Sequence, residues 1–188
     1  MQKNKRILCI TTDPFDKIQG YSLEFQRMVL ILNKELNVSL ILNKRGYSYK
    51  SLRKTSLYKS EELLCHFIRV DSSNYFIKGI EFVFKSIHYK KPFDVILSNG
   101  ELPEMIASTI LSTLKKKPRV VVVYDDYIRT GGISTKFINA IWILILARFD
   151  VLLFVNRHTM SKMAKSLSLQ DRCYFIGLPI CDNHGKKL

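Results

Sequence analysis

Residues 5–41 read KRILCITTDPFDKIQGYSLEFQRMVLILNKELNVSLI. Arg6 to Thr12 is a short run whose middle is continuously apolar, where a half-exposed strand would alternate, so it predicts a strand buried on both faces. A loop with a single glycine, Gly20, follows. Then Phe25, Met28, Val29, Leu32 and Leu36 recur at helical spacing, and Val38 to Asn43 is a second apolar run. The same alternation continues outward. Strands are expected at Phe67 to Val70, Phe93 to Ser98, Arg119 to Tyr124, Val151 to Asn156 and Cys173 to Leu178. Helical stripes lie between most of them: Ile77, Ile80, Phe84, Ile87; Ile106, Ile110, Leu111, Leu114; and Met160, Met163, Ala164, Leu167. Repeated strand and helix imply a mostly parallel, doubly wound α/β sheet of about seven strands with right-handed crossovers and helices on both faces.

The chain has 188 residues, 47% of them hydrophobic, enough for one packed domain and short for two, so residues 1–188 are read as a single Rossmann-like domain. Thirty basic against 16 acidic residues give a formal charge of +14, which excludes an acidic solvating protein and points to anionic partners. Six of the cations fall in residues 43–60, NKRGYSYKSLRKTSLYKS, with no acid before Glu61. That stretch is longer than the usual connection in α/β units. The four cysteines form no CxxC pair, and a reducing cytoplasm fits them. The N-terminus lacks the pattern of a secretory signal. Ala140 to Ala147, the longest apolar stretch, is far short of the roughly 20 residues that span a bilayer. Phe137 to Phe149, with Trp142, is expected to be a buried helix.

Several chemistries lack their motifs. The first loop has no GxGxxG, no strand is followed by GxxxxGK[ST], and no GxSxG is present, so classical dinucleotide binding, P-loop phosphoryl transfer and α/β-hydrolase chemistry have no support. The four histidines are scattered, and no metal site is expected.

In doubly wound sheets ligands bind at the carboxyl ends of the strands. Gly20 could bring a backbone N–H to a phosphate or sugar oxygen, or could be a turn glycine. Asp13 and Asp16 in the same loop fit turn formation and capping. Asn99, Gly100 and Glu101 follow the fourth strand; Glu101 and Glu104 complement the dipole of the next helix and repel an anion there, leaving a neutral acceptor hydroxyl or simple capping. Asp125 and Asp126 end the fifth strand, where they could accept sugar hydroxyls or form a solvated turn.

Taken in order, these segments resemble the N-terminal, acceptor-side domain of GT-B glycosyltransferases, in particular the retaining group, family 4-like, that includes mannosyl- and glucosyltransferases. The opening segment is similar to that family's first strand, loop, long helix and second strand. FDVILSNG (93–100), RVVVVYDD (119–126), RFDVLLFVNRHTMSKMAKS (148–166) and YFIGLPICD (174–182) are similar to its later strand ends and closing segment. Departures are Gln19-Gly20 for a paired glycine, Tyr124 for a histidine, Asn156 for a Ser-like cap and Leu178-Pro179 for Asn-Gly.

The resemblance implies transfer of a hexose from a UDP- or GDP-sugar, as substrate and with no cofactor, to a lipid-linked or polysaccharide acceptor. It implies Asp125 as the positioning and charge-stabilising group, with Gly20, Asn99, Gly100, Glu101, Tyr124 and Asp126 binding substrate. The donor-binding C-terminal domain of such enzymes has no counterpart in this sequence. The expectation is a truncated chain, a natural half that meets a donor subunit in trans, or an inactive remnant. The resemblance also marks residues 43–60 as a membrane-facing segment, with Lys50, Arg53, Lys54 and Lys59 on anionic headgroups at the cytoplasmic face. A non-catalytic basic module docking to an anionic membrane or nucleic acid is the alternative; no nucleic-acid-binding motif supports the latter.

Overall fold

The computed structural model describes residues 5–12, 20–43, 64–69, 75–124 and 132–176. Its strands are β1 (Arg6–Thr11), β2 (Asn37–Asn43), β3 (Leu64–Ile68), β4 (Val95–Ser98), β5 (Arg119–Val123), β6 (Val151–Phe154) and β7 (Cys173–Phe175). They form one seven-stranded sheet in the order β3-β2-β1-β4-β5-β6-β7, parallel at every pairing. The helices are α1 (Gly20–Glu35), α2 (Tyr75–Ser86), α3 (Leu102–Lys115), α4 (Ile133–Leu146) and α5 (Arg157–Leu167). The α/β, Rossmann-like class expected from the sequence is the class observed. β3 begins earlier than the apolar run suggests, because His66 interrupts that run while Leu64 and Cys65 still pair with Ser39 and Leu40.

The central strands are buried from both sides. Cys9, Leu40, Leu42, Leu97 and Val122 pack beneath Phe25 and Val29 of α1. Their neighbours in sequence point the other way: Leu8, Ile10, Ile41 and Ile96 meet Phe82 of α2 and Leu111 of α3, and Val121, Val123, Leu152 and Phe154 meet Met105 of α3 and Trp142 and Leu146 of α4. Alternate side chains of a strand face opposite sides, so one continuous apolar run serves both layers. Burial pushes the Cys9 thiol far above its ordinary range, which makes it a small hydrophobe with no nucleophilic character.

Two Phe-Asp-Val segments set the registry of the sheet. Asp94, just before β4, accepts from the Arg6 backbone N–H at 2.9 Å and from its side chain at 3.3 and 3.4 Å, while the Asp94 N–H donates to the Arg6 carbonyl at 2.8 Å. Asp150, just before β6, repeats the arrangement with the first residue of β5: it accepts from the Arg119 N–H at 2.9 Å and its own N–H donates to the Arg119 carbonyl at 3.1 Å. Each aspartate thereby supplies an acceptor for the first N–H of the neighbouring strand.

The α1 and α5 stripes meet the sheet through Phe25, Val29, Met163 and Ala164, whereas α2, α3 and α4 face differently from expectation. On α2 Phe82 and Ser86 are buried, whereas Ile77, Ile80 and Phe84 are exposed; Ile87, just past the helix, packs against the same core as Phe82. On α3 Leu111 is buried and Leu114 is exposed. α4 is likewise only half buried: Trp142 and Leu146 face the sheet, while Phe137, Ile138 and Leu144 face out. These helices carry apolar residues on two sides, so a period of 3.6 alone does not say which side meets the sheet. α2 and α3 approach closely at Gly79, where a Cβ would lie 3.1 Å from Pro103 Cγ.

Two predictions follow from this packing. Phe82→Ala should cost about 3–5 kcal/mol in urea unfolding through the cavity it opens, and Phe84→Ala, two residues on, less than about 0.5 kcal/mol. The Arg6 hydrogen bonds hold the Asp94 carboxyl below the ordinary aspartate range. Its stabilisation is complete above the unfolded-state value near 4 and lost as pH falls through the lower folded value. Asp94→Asn should therefore flatten the acid side of the stability profile below about pH 4 and leave its neutral and alkaline slope unchanged.

Candidate functional site

The strand order reverses direction between β1 and β4, and the crevice beyond the carboxyl ends at such a reversal is where doubly wound sheets bind ligands. Thr11 and Thr12 leave β1 there; Asn99, Gly100 and Glu101 leave β4. Asn99 Nδ2 donates to Thr11 Oγ1 at 3.4 Å in a buried contact, bridging the two strand ends. The Thr12 N–H and Oγ1 both donate to Glu104 Oε1 of α3, at 2.5 and 2.9 Å. Trp142 of α4 donates its indole N–H to the Gly100 carbonyl at 3.1 Å. Gly100 has φ 75°, a left-handed conformation that a side chain resists by about 1–2 kcal/mol. Its position after β4 therefore selects glycine.

The result is a rigid polar floor. Thr11, Asn99 and Glu104 are buried, and each group that shapes the edge is held by a neighbour from a different element. Glu101 is the N-cap of α3, with extended backbone and no side-chain cap bond; its carbonyl accepts from Met105 at 3.0 Å. Asn156 caps α5, accepting from the His158 and Thr159 N–H groups at 2.8 and 3.4 Å.

Charge separates these helix ends. The first turn of α3 holds Glu104, with Glu101 at its cap, so an anion is repelled there. The first turns of α1 and α5 contain no acid, so they lack the repulsion that α3 offers an anion; at α5 the His158 and Thr159 N–H groups are taken by Asn156. α1 begins at Gly20, as its place before a helical stripe suggests.

Asn99, Gly100 and Glu101 are thus brought together at the β4 exit. Tyr124 lies at the end of β5 but is 2% exposed, its ring in the core with Cys9, Phe25 and Val29. Asp125, Asp126, Asp13 and Asp16 lie outside the described residues, as do Lys50, Arg53, Lys54 and Lys59. Sequence reasoning missed Thr11, Thr12 and Trp142 as parts of this edge and saw in Glu104 only a helix-dipole partner. The signal for Glu104 was an acid in the first turn of a helix opened by Pro103; its partner stands 92 residues away.

Solved structures share this architecture. UGT89C1 of Arabidopsis thaliana, complexed with UDP-L-rhamnose, superposes with a TM-score of 0.64 at 12% identity, over 96% of this chain and 51% of that one. Alr3699/HepE of Anabaena, in complex with UDP and glucose, gives 0.62 at 13% identity, over 92% and 44%. The UDP-GlcNAc 2-epimerase of Methanocaldococcus jannaschii gives 0.61 at 10% identity, over 92% and 45%. The chain spans about half the length of these structures. No protein-family model matches it, and no curated protein matches it in sequence. At such identities the likeness establishes the fold: a Rossmann-like sheet matching half of a GT-B fold.

The hydrogen bonds of the edge make a graded prediction. Trp142→Phe should cost about 1 kcal/mol. Glu104→Ala should cost about 2–3 kcal/mol, since both Thr12 donors lose a charged acceptor, and Glu104→Gln less, because the amide oxygen still accepts. Urea unfolding of the three variants checks the order.

Proposed function

We propose that the chain is the acceptor-side half of a GT-B glycosyltransferase that moves a hexose from a UDP- or GDP-sugar to a lipid-linked or polysaccharide acceptor, in the retaining manner of the group it resembles. The observation that carries this reading is the switch-point edge itself: a buried, pre-organised polar floor at the β1/β4 exits, in a sheet built like half of proteins solved with UDP or UDP-sugars. The donor half is supplied in cis or in trans.

In this reading Asn99, the Gly100 backbone and Glu101 hold a neutral acceptor hydroxyl, the ligand that the acidic end of α3 favours over a phosphate. The backbone at Gly20, at the acid-free start of α1, faces a phosphate or sugar oxygen. Asp125 positions the acceptor and stabilises developing positive charge on the sugar, and Asp126 accepts a sugar hydroxyl; Tyr124, expected beside them as a substrate ligand, has its ring buried in the α1 core. Work at the cytoplasmic membrane face, with Lys50, Arg53, Lys54 and Lys59 on anionic headgroups, suits a lipid-linked acceptor.

The test is to combine the chain with a donor half and assay UDP- and GDP-sugars with polyprenyl-phosphate and oligosaccharide acceptors. Turnover is expected, with Asp125→Asn lowering kcat about a hundredfold. No turnover with any donor and acceptor pair overturns the reading. Sugar epimerisation without an acceptor replaces it by the chemistry named for the half-similar 2-epimerase.

A further inference from the structure

The helices α2, α3 and α4 lie side by side on one face of the sheet, and their outer surface is carbon-rich. Phe84 and Leu114 are each 65% exposed, Phe137 and Leu144 each 67%, and Ile80 54%. Between α2 and α3 runs an apolar groove of about 300 Å³, lined by Ile80, Val83, Phe84, Pro103, Ile106 and Ile110. Singly scattered exposed apolar residues are normal on a protein surface, but a groove between α2 and α3 beside exposed apolar side chains on all three helices marks an interaction site.

Among the described residues basic side chains outnumber acidic ones around this surface, and the flanking Asp94 and Asp150 are bound to the first residues of β1 and β5. Lys115, Lys116 and Lys117 follow directly on Leu114; Lys90 and Lys91 follow α2; Lys136 adjoins Phe137; and Arg148 follows α4. Among the described residues of the three helices the acids are Glu81, engaged with Lys85 at 2.5 Å, and Glu104, buried at the polar edge. Complementing the dipole at a helix C-terminus accounts for a lysine in the last turn of α3; it does not account for large apolar side chains beside it.

We infer that the outer face of the α2–α3–α4 layer docks onto an anionic lipid bilayer, its aliphatic and aromatic side chains entering the headgroup region while the lysines meet lipid phosphates. Amphipathic surfaces bind membranes by this pairing of buried apolar area with anionic attraction. A second copy of the chain fits less well, since a two-fold pairing of this face would oppose lysine rims on molecules of net charge +14. Nucleic acid offers phosphates but nothing for Leu114, Leu144 and Ile80 to enter. No described helix is long and apolar enough to cross a membrane, so the contact is interfacial. Ile77 and Phe137 stand near the amino ends of α2 and α4, which places the bilayer alongside the β4 exit. Docking of this kind stands whether or not the chain serves glycosyl transfer.

Sedimentation with phosphatidylcholine vesicles, with and without phosphatidylglycerol, tests it on the full chain. Binding is expected to the anionic vesicles. The variant F84S/L114S/L144S should lose at least about tenfold in partitioning. The variant K115A/K116A/K117A should lose about fivefold per lysine, the equivalent of about 1 kcal/mol each. Thermal unfolding identifies any variant that fails to fold, and the lysine variant, which touches no apolar contact, gives a second, independent readout. The variant K50A/R53A/K54A separates any contribution of residues 43–60 from that of the helix face. The inference is overturned if the wild type ignores phosphatidylglycerol vesicles, if both helix-face variants bind like the wild type, or if the loss follows K50A/R53A/K54A alone. A concentration-dependent dimer that the serine variant dissolves, with vesicle binding unchanged, also overturns it and assigns the face to self-association.

Discussion

A parallel strand that is apolar along its whole length has to be covered on both faces, and the rest of the molecule answers that requirement. Leu8, Cys9 and Ile10 are successive residues with no exposed surface; Cys9 is covered by α1, and Leu8 and Ile10 by the α2–α3 side. Right-handed crossovers can cover both faces only if the chain reverses its direction across the sheet. The reversal falls between β1 and β4, and it parts the loops that leave those two strands. The crevice with its polar floor is thus a consequence of covering β1 twice.

The same requirement explains which parts of the fold were legible in the sequence. Continuous apolar runs announced strands buried on both sides, and Asp94 and Asp150 marked where two of them begin, because an aspartate there meets the first N–H of a neighbour. The facing of α2 and α4 was not legible, while that of α1, through Phe25 and Val29, was. Ile77, Ile80 and Phe84 have the spacing of a core stripe with Ile87, yet only Ile87 of these packs on the core, and Phe82 is the large side chain of α2 that reaches the sheet. Periodicity reports that apolar residues share a side; it does not report what lies on that side. In α2 and α4 two sides qualify, and the choice depends on partners in strands far along the chain.

For the candidate site the division is similar. The rule that ligands sit beyond strand ends was enough to single out Asn99, Gly100 and Glu101. It could not supply the groups that hold them. Thr12 and Glu104 are 92 residues apart, and Trp142 and Gly100 are 42 apart; each is ordinary in its own segment. Trp142 was expected in a buried helix for its carbon, and the structure gives its N–H a separate task, fixing the carbonyl of a residue held at positive φ. Tyr124 shows the converse: a strand-end position suggested an open edge, and the chain buries the ring in the α1 core.

The net charge of +14 does not describe the switch-point edge. Among the described residues the β4 exit carries Asn99, Glu101 and Glu104, whereas Lys34, Lys90, Lys91, Lys115, Lys116 and Lys117 lie at or just beyond helix C-termini, toward the amino ends of the strands. A helix that follows a parallel strand starts at the carboxyl edge and returns to the opposite one, so cations that favour helix C-termini collect away from the ligand edge. Among the described residues, positive charge distributed in this way raises the potential of the molecule without placing a cation at the β1 and β4 exits. Its effect is on the surfaces the molecule approaches, while the described part of the edge presents neutral and acidic groups held by hydrogen bonds.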